Sequence, residues 1–447
     1  MFIDFLLQRF EEDKDKTAIV WKEQLFSYSF LLERIDYWLS RLDKESVTAG
    51  TVTVLEGDFS PESLALLLAL IERGCIVVPL TKAVETQKNE FIETAQGEIS
   101  FSIDENDQGS LNKLPYSGQH ELYDELRSRK HPGLVLFSSG TTGKSKAILH
   151  DVHHLLKKYT VKRHDFTTLA FLLFDHIAGI DTLLYVLSNG SCLVTVEDRA
   201  PHAICQAIET YKVEVLPVSA TFLNLLIFSE AYAKYDLSSL KYIAYGSEVM
   251  LEPTLKKCAM LFPDVTILQK YGTTEVGTLR SKSKSSDSLW MKIGGEGFET
   301  RIVDTILQIK AHSAMMGYLN APSPFTDDGW FITGDTVEED GEYIRIHGRH
   351  CDIINVGGEK VFPTEVENLI QTMDNVAEVL VYGEKNNITG NIVCTDISLI
   401  TEEDIKKFII RVKKFCAQSL QPYKVPIKIH IVDGLKLSKR FKKVRRK

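Results

Sequence analysis

Between residues 51 and 269, short apolar runs alternate with stretches of helical periodicity, and few architectures accommodate that rhythm. Residues 51–55 read as a strand, 62–72 as a buried helix and 75–78 as a second strand, stopped by Pro79. Further strands are expected at 134–137, 168–174, 192–196, 213–218, 242–245 and 265–269, with helices between most of them, including 202–211 and 220–233. The alternation predicts an α/β chain whose large N-terminal domain holds parallel sheets covered by helices. After about Lys292 the pattern changes to short meandering strands at 301–303, 307–310 and 343–347, a small β-barrel-like region with turns at Asp327-Asp328-Gly329 and Glu339-Asp340-Gly341. A hairpin at 352–361, a helix from Thr364, strands near 377–382 and 392–397 and a helix at 402–418 then make a small α+β C-terminal domain. The boundary is expected near 348–352, dividing the chain into residues 1–350 and 351–447.

Composition excludes several classes. The 447 residues are 44% hydrophobic and 25% charged, as in globular proteins, and can bury a core without disulfides or structural metal. Seven cysteines with no CxxC pair argue against a disulfide framework or a zinc site and point to a reducing, cytoplasmic setting. The first residues read as an amphipathic helix rather than a signal peptide. The longest apolar stretch, 64–80, is broken by Glu72 and Arg73, so no membrane span is expected. A net charge of −9 disfavours nucleic acid, although the chain ends in the basic run KLSKRFKKVRRK.

The sharpest local signal is Leu134-Val-Leu-Phe-Ser-Ser-Gly-Thr-Thr-Gly-Lys-Ser-Lys146, a buried strand entering a loop of Ser, Thr, Gly and Lys. Small residues let backbone N–H groups and hydroxyls converge on one anion, and two lysines add charge, so polyphosphate is the natural guest. It is not a P-loop: Gly143-Lys144-Ser145 supplies the end of that motif, but its first glycine falls on Ser138.

Four more segments follow in order: Tyr271-Gly-Thr-Thr-Glu275, Gly329-Trp-Phe-Ile-Thr-Gly-Asp335, Gly348-Arg-His-Cys-Asp352 and Gly357-Gly-Glu-Lys-Val-Phe-Pro-Thr-Glu-Val-Glu367. With these the sequence resembles the acyl-adenylate-forming superfamily of acyl-CoA and aryl-CoA synthetases, peptide-synthetase adenylation domains and firefly luciferase. The resemblance runs from about Thr17 to the C-terminus. It implies that Ser138, Ser139, Gly140, Thr141, Thr142, Gly143 and Lys146 hold the β- and γ-phosphates of ATP. It also implies that Tyr271 and Gly272 line the adenine, that Thr274 contacts phosphate and that Glu275 is the Mg²⁺-associated carboxylate. Asp335 matches the acceptor of the ribose hydroxyls, and Arg349 an arginine that approaches the nucleotide. His176, in Leu173-Phe-Asp-His-Ile-Ala-Gly179, resembles the acyl-pocket gate of CoA ligases, with a satisfied core histidine as the plainer reading. Lys442 falls at the catalytic lysine of a mobile C-terminal domain, and Gly357-Gly358 would let a pantetheine arm pass close to the backbone.

Four positions depart from the family pattern. Ser145 stands for a Pro, Ala147 for a Gly, Phe441 for the Gly before the catalytic lysine, and Cys351 occupies the hinge. Phe441 leaves Lys443 and Lys439 open as alternatives to Lys442. The activity implied is ATP-dependent conversion of a carboxylic acid to acyl-AMP with release of pyrophosphate, then transfer to a thiol. CoA is the expected acceptor, with the phosphopantetheine of an acidic acyl carrier protein as the alternative, because a basic tail would steer it. A non-catalytic nucleotide-binding homologue is the contrasting reading. The acyl pocket is expected among 173–179, 217–222 and 244–250; no counter-charge stands out, nor an Asp placed for an α-amino group, which leans to an aryl or aliphatic acid.

Overall fold

The computed structural model describes residues 2–139 and 145–435. Two seven-stranded sheets form its large part. The first runs Thr266–Gln269, Tyr242–Gly246, Val215–Ser219, Thr168–Leu169, Leu193–Val194, Thr17–Trp21 and Gln24–Ser27, parallel except for the last strand. The second runs Gly317–Tyr318, Ser145–Asp151, Gly133–Ser139, Ile76–Leu80, Val52–Glu56, Ile99–Ile103 and Gly109–Lys113. Its four inner strands, from Gly133–Ser139 to Ile99–Ile103, are parallel and its edges antiparallel. The parallel centres agree with the α/β expectation. The edges are hairpins or short returns, which carry no helix and therefore leave no alternating signature.

The helices Tyr28–Lys44, Pro61–Arg73 and Ile177–Ser188 share the largest core with residues of both sheets, such as Ile19 and Val77. Pro61–Arg73 is buried on all sides from Pro61 to Ile71, which is why it reads as a continuous apolar run. Glu72, which breaks that run, accepts the N–H groups of Phe2 (2.8 Å) and Ile3 (3.0 Å), donors at the start of the Asp4–Glu12 helix.

Two strand expectations need correction. Pro79 lies inside the Ile76–Leu80 strand rather than stopping it. Ile76 donates to Thr51 on one side, so alternation turns Val77 and Pro79 to the other neighbour, which pairs only with Ile76 and Val77. The missing N–H of Pro79 thus falls beyond the last rung and costs nothing. The strand expected over 168–174 ends at Leu169, because Phe171 turns back and donates to the Leu169 carbonyl at 3.0 Å.

A six-stranded antiparallel sheet follows, running Arg280–Ser283, Met291–Gly294, Tyr343–Arg349, Phe331–Asp340, Ile306–Ala311 and Phe298–Val303. It begins at Arg280, earlier than the change of pattern near Lys292. The rest of the described chain forms a five-stranded sheet with helices Pro363–Ile370 and Ile405–Ser419 around a core that includes Val361, Val379 and Phe408. Leu251 of the large part packs into that core. Hydrogen bonds among the described residues join the same parts, including Asn224 Nδ2 to the Ala377 carbonyl (3.1 Å), the Glu252 N–H to Asn368 Oδ1 (2.8 Å) and Thr364 Oγ1 to the His347 carbonyl (2.8 Å).

All seven cysteines lie among the described residues, and no disulfide joins them. Among the described residues no helix is long and apolar enough to cross a membrane.

Candidate active site

A cleft of about 1380 Å³ opens where the first sheet, the antiparallel sheet and the C-terminal part meet. It is larger than the cavity of about 300–1,000 Å³ that suits one small ligand, so it has room for two reactants. A side chamber of about 400 Å³ shares Ser247, Lys270, Tyr271, Gly272, Arg349 and Asp352 with it.

Ser138 and Lys146 stand opposite each other on the last described rungs of the hairpin that carries the Ser/Thr/Gly loop, with Ser139 opposite Ser145. Both Ser138 and Lys146 line the cleft. Gly140, Thr141, Thr142 and Gly143 lie outside the described residues, as does Lys442. Asn320 brackets the returning strand, donating to the Ser145 carbonyl (2.9 Å) and accepting from the Ala147 N–H (3.0 Å). Nothing in its sequence neighbourhood marks it for this role.

Lys146 Nζ lies 4.6 Å from the centre of the Tyr318 ring, and the Tyr318 hydroxyl donates to Glu275 Oε1 at 2.8 Å. One polar rim thus joins this hairpin to the Tyr271–Glu275 turn. Gly272 is obligatory in that turn, since a Cβ there would sit 2.6 Å from the Gly277 carbonyl oxygen. Thr274 is buried and lines the cleft, and its carbonyl accepts from His150 Nε2 at 2.6 Å. A carbonyl can only accept, so Nε2 carries the proton.

His150 is fully buried, and burial lowers its pKa to about 4. Below the ordinary value of 6.5 the unfolded chain takes up a proton that the folded chain refuses until about pH 4. Stability is therefore expected to fall as the pH drops through that window, by up to about 3 kcal/mol. Urea unfolding across the window should show this slope flattened in His150→Gln, whose amide can still donate to Thr274.

The Tyr271 hydroxyl donates to Asp335 Oδ2 at 2.5 Å, and Arg349 Nε lies 2.9 Å from Asp335 Oδ1. Asp335 and Arg349 are register partners on adjacent strands, and both are tied to Thr333: Asp335 N–H donates to its hydroxyl and Arg349 to its carbonyl. Burial pushes the Asp335 carboxyl above the usual range, opposed by the Arg349 guanidinium and the Tyr271 hydroxyl. Asp335 faces the side chamber, whereas Arg349 borders both spaces.

His176 lines the cleft and caps the Ile177–Ser188 helix, its Nδ1 accepting the Ala178 N–H at 3.3 Å. The helix cap gives His176 a structural partner, although it borders the cleft rather than lying in the core. Gly179 holds this helix close to the preceding loop, for a Cβ would fall 1.9 Å from the Leu173 carbonyl oxygen. Of the three expected acyl-pocket segments, Ile177, Pro217 and Ala244 face the large cleft, whereas Thr221, Glu248 and Met250 face the side chamber. Ser247 borders both spaces with φ 68°, a left-handed turn that a non-glycine residue adopts at a cost of about 1 kcal/mol or more.

Gly357 and Gly358 are not brought to the site. They are exposed at a hairpin tip, where an added Cβ would meet nothing within 4 Å. The C-terminal part instead offers Tyr382, Gly383 and Asn391 to the cleft, beside Cys351.

The model of the AMP-binding enzyme family matches residues 6–305, and that of the AMP-binding enzyme C-terminal domain matches 365–442. The chain belongs to the AMP-binding enzyme family. Among AMP-binding enzymes it is 26% identical to the indoleacetate–CoA ligase of Aromatoleum aromaticum over 430 residues, 85% of this chain and 84% of that protein. It is 24% identical to the 2-succinylbenzoate–CoA ligase of Enterococcus faecalis over 467 residues, 95% of this chain and 94% of the relative. Its fold matches an anthranilate CoA ligase in complex with anthranoyl-AMP at a TM-score of 0.81 and 18% identity, covering 98% and 95% of the two chains. The similarity thus spans both parts of the AMP-binding enzyme fold.

Lys270 is a cleft residue that the motif reading passed over. Period-two alternation along Ile267-Leu268-Gln269-Lys270-Tyr271 puts Leu268 and Lys270 on the cleft side, and both line it. A lysine closing a buried strand was the available signal.

Proposed function

We propose that this protein activates a carboxylic acid with ATP, releasing pyrophosphate, and transfers the acyl group from the resulting acyl-AMP to the thiol of CoA. The carrying observation is the Tyr271–Asp335–Arg349 cluster at a chamber that opens on the same cleft as the phosphate hairpin. Each Asp335 oxygen already accepts one donor and has lone pairs for a ribose hydroxyl. The side chamber then takes the nucleoside, with Tyr271 and Gly272 at its wall. The triphosphate extends towards Ser138, Lys146 and Thr274, and the acid lies in the apolar part of the cleft beyond His176.

A divalent cation fits at Glu275 on the chemistry of its surroundings. Among the described residues no three His, Cys, Asp or Glu side chains are grouped to hold a metal, and no cation pairs with Glu275. One carboxylate beside a phosphate site suits Mg²⁺, which takes its remaining ligands from phosphate and water. Such an ion would neutralise charge on the phosphate oxygens. Glu275→Gln should raise the Mg²⁺ concentration for half-maximal activity about tenfold with the fold intact; an unchanged requirement counts against the assignment.

In this reading the adenylation step is served by positioning and charge. Arg349 and Lys146 counter negative charge at the two ends of the nucleotide, and the Lys442 ammonium bridges the acid carboxylate and the α-phosphate. The chain divides at Cys351, and rotation there exchanges Lys442 for Gly357-Gly358, which pass the pantetheine arm. The absence of disulfides among the seven cysteines supports a reducing compartment such as the cytoplasm.

The direct test is carboxylate-dependent exchange of pyrophosphate into ATP over a panel of acids, followed by acyl-CoA detection. Exchange with one class of acid supports the reading. ATP binding with no exchange for any acid overturns it in favour of a non-catalytic homologue.

A further inference from the structure

Lys270 is the unusual feature of the acyl half of the cleft. It lies one residue beyond the Thr266–Gln269 strand, and its N–H is spent on the Tyr245 carbonyl at 2.7 Å, which fixes the backbone. Lys270 borders both the cleft and the side chamber, and alternation together with the two charges that act on its ammonium, Asp181 and Lys158, puts the side chain towards the cleft. Among the described residues its ammonium has neither a hydrogen bond nor an ion pair. Asp181, the carboxylate close by, is already held by Lys158 Nζ and by the Tyr159 hydroxyl at 2.5 Å. Burial pushes the Lys270 ammonium below the ordinary lysine range, with Lys158 adding to the effect and Asp181 opposing it.

Lys270 is half-buried, and a half-buried ammonium with no protein partner is open to pairing with an occupant of the cleft. Among the described residues that line the cleft, six Lys and Arg side chains, Lys158, Arg163 and Lys270 included, stand against three carboxylates, Asp181 among them. The Tyr185 and Tyr242 phenols on the same wall add hydroxyl donors. Such a wall is complementary to negative charge.

Resting on the adenylation reading above, we propose that Lys270 receives a second, negatively charged group on the acid being activated. A carboxylate is the simplest such group. The substrate is then a dicarboxylic acid or a comparably charged acid, entering with one carboxylate towards the α-phosphate and the other towards Lys270. This refines the aryl or aliphatic expectation, which was drawn without a counter-charge in view.

Acyl-sulfamoyl adenosines, inert mimics of an acyl-adenylate, separate the two ideas. Matched pairs are compared over several chain lengths and one aryl framework, one member ending in a carboxylate and the other in a methyl group. Calorimetric titration of the full-length protein should show the carboxylate member binding about ten- to a hundredfold tighter in at least one pair, the range for a buried charge-assisted contact. Lys270→Met should erase that difference while leaving the methyl-terminated member as tight as before, which also shows that the variant is folded. Lys270→Arg should retain part of the preference. Equal binding of both members in every pair, or equal weakening of both in Lys270→Met, overturns the proposal while leaving adenylation standing; the second result would place Lys270 at the reacting carboxylate. Binding of no mimic at all overturns the adenylation reading and this proposal with it.

Discussion

Asp335→Ala is expected to cut kcat/KM for ATP by about a hundred- to a thousandfold, mostly through KM. In the proposed reading two ribose hydroxyls donate to this carboxylate, and hydrogen bonds to a charged group are worth about 1.5–3 kcal/mol each. The protein should also lose about 1–2 kcal/mol of stability, because the buried Tyr271 hydroxyl loses its acceptor. The ion pair adds less to that loss, since the Arg349 side chain is 49% exposed and water can take over from the carboxylate. Asp335→Asn separates the two effects. Its amide oxygen can still accept from Tyr271, so stability should largely return while ATP binding stays weak. Thermal unfolding beside steady-state kinetics checks both, and an unchanged KM for ATP in Asp335→Ala would remove Asp335 from the nucleotide site.

Lys442→Ala should lower acyl-adenylate formation by about a hundred- to a thousandfold, the usual cost of deleting one preorganised electrostatic group at a reacting centre. The second half-reaction should survive, because a supplied acyl-adenylate needs no charge at the α-phosphate to be attacked by a thiol. Pyrophosphate exchange reads the first step, and single-turnover acyl-CoA formation from synthetic acyl-AMP reads the second. Normal exchange in Lys442→Ala would move the role to Lys439 or Lys443, to be tried in the same two assays. Equal loss of both half-reactions would instead mark Lys442 as structural.

Much of the architecture was legible because strand and helix periodicities differ, and a buried parallel strand announces itself as a short apolar run. Pro79 misled because proline is penalised only where its N–H side has a partner, a property of the neighbouring strand. The stretch 168–174 misled because apolar residues fill a core from a turn as readily as from a strand. At the site, the Ser/Thr/Gly loop was visible as residue types suited to an anion, whereas Tyr271, Glu275, Asp335 and Arg349 stood out through the resemblance of their motifs to the acyl-adenylate-forming superfamily. Their connections did not. Tyr271 and Asp335 are 64 positions apart, and His150 and Thr274 are 124 apart, so those hydrogen bonds depend on how separate sheets meet. Lys270 carried a local signal, a charge at the end of a buried strand, but its meaning needed Asp181 to be seen already engaged.

The seam between the two parts of the chain, with Leu251 seated in the smaller core and hydrogen bonds such as Asn224 to Ala377 beside it, bears on speed as well as shape. If the parts rotate once per catalytic cycle, each of those contacts is broken and remade every time product forms. A seam reinforced by mutation would raise melting temperature and slow turnover together, and a weakened one would do the reverse. In that case the strength of bonding at this seam sets the catalytic clock.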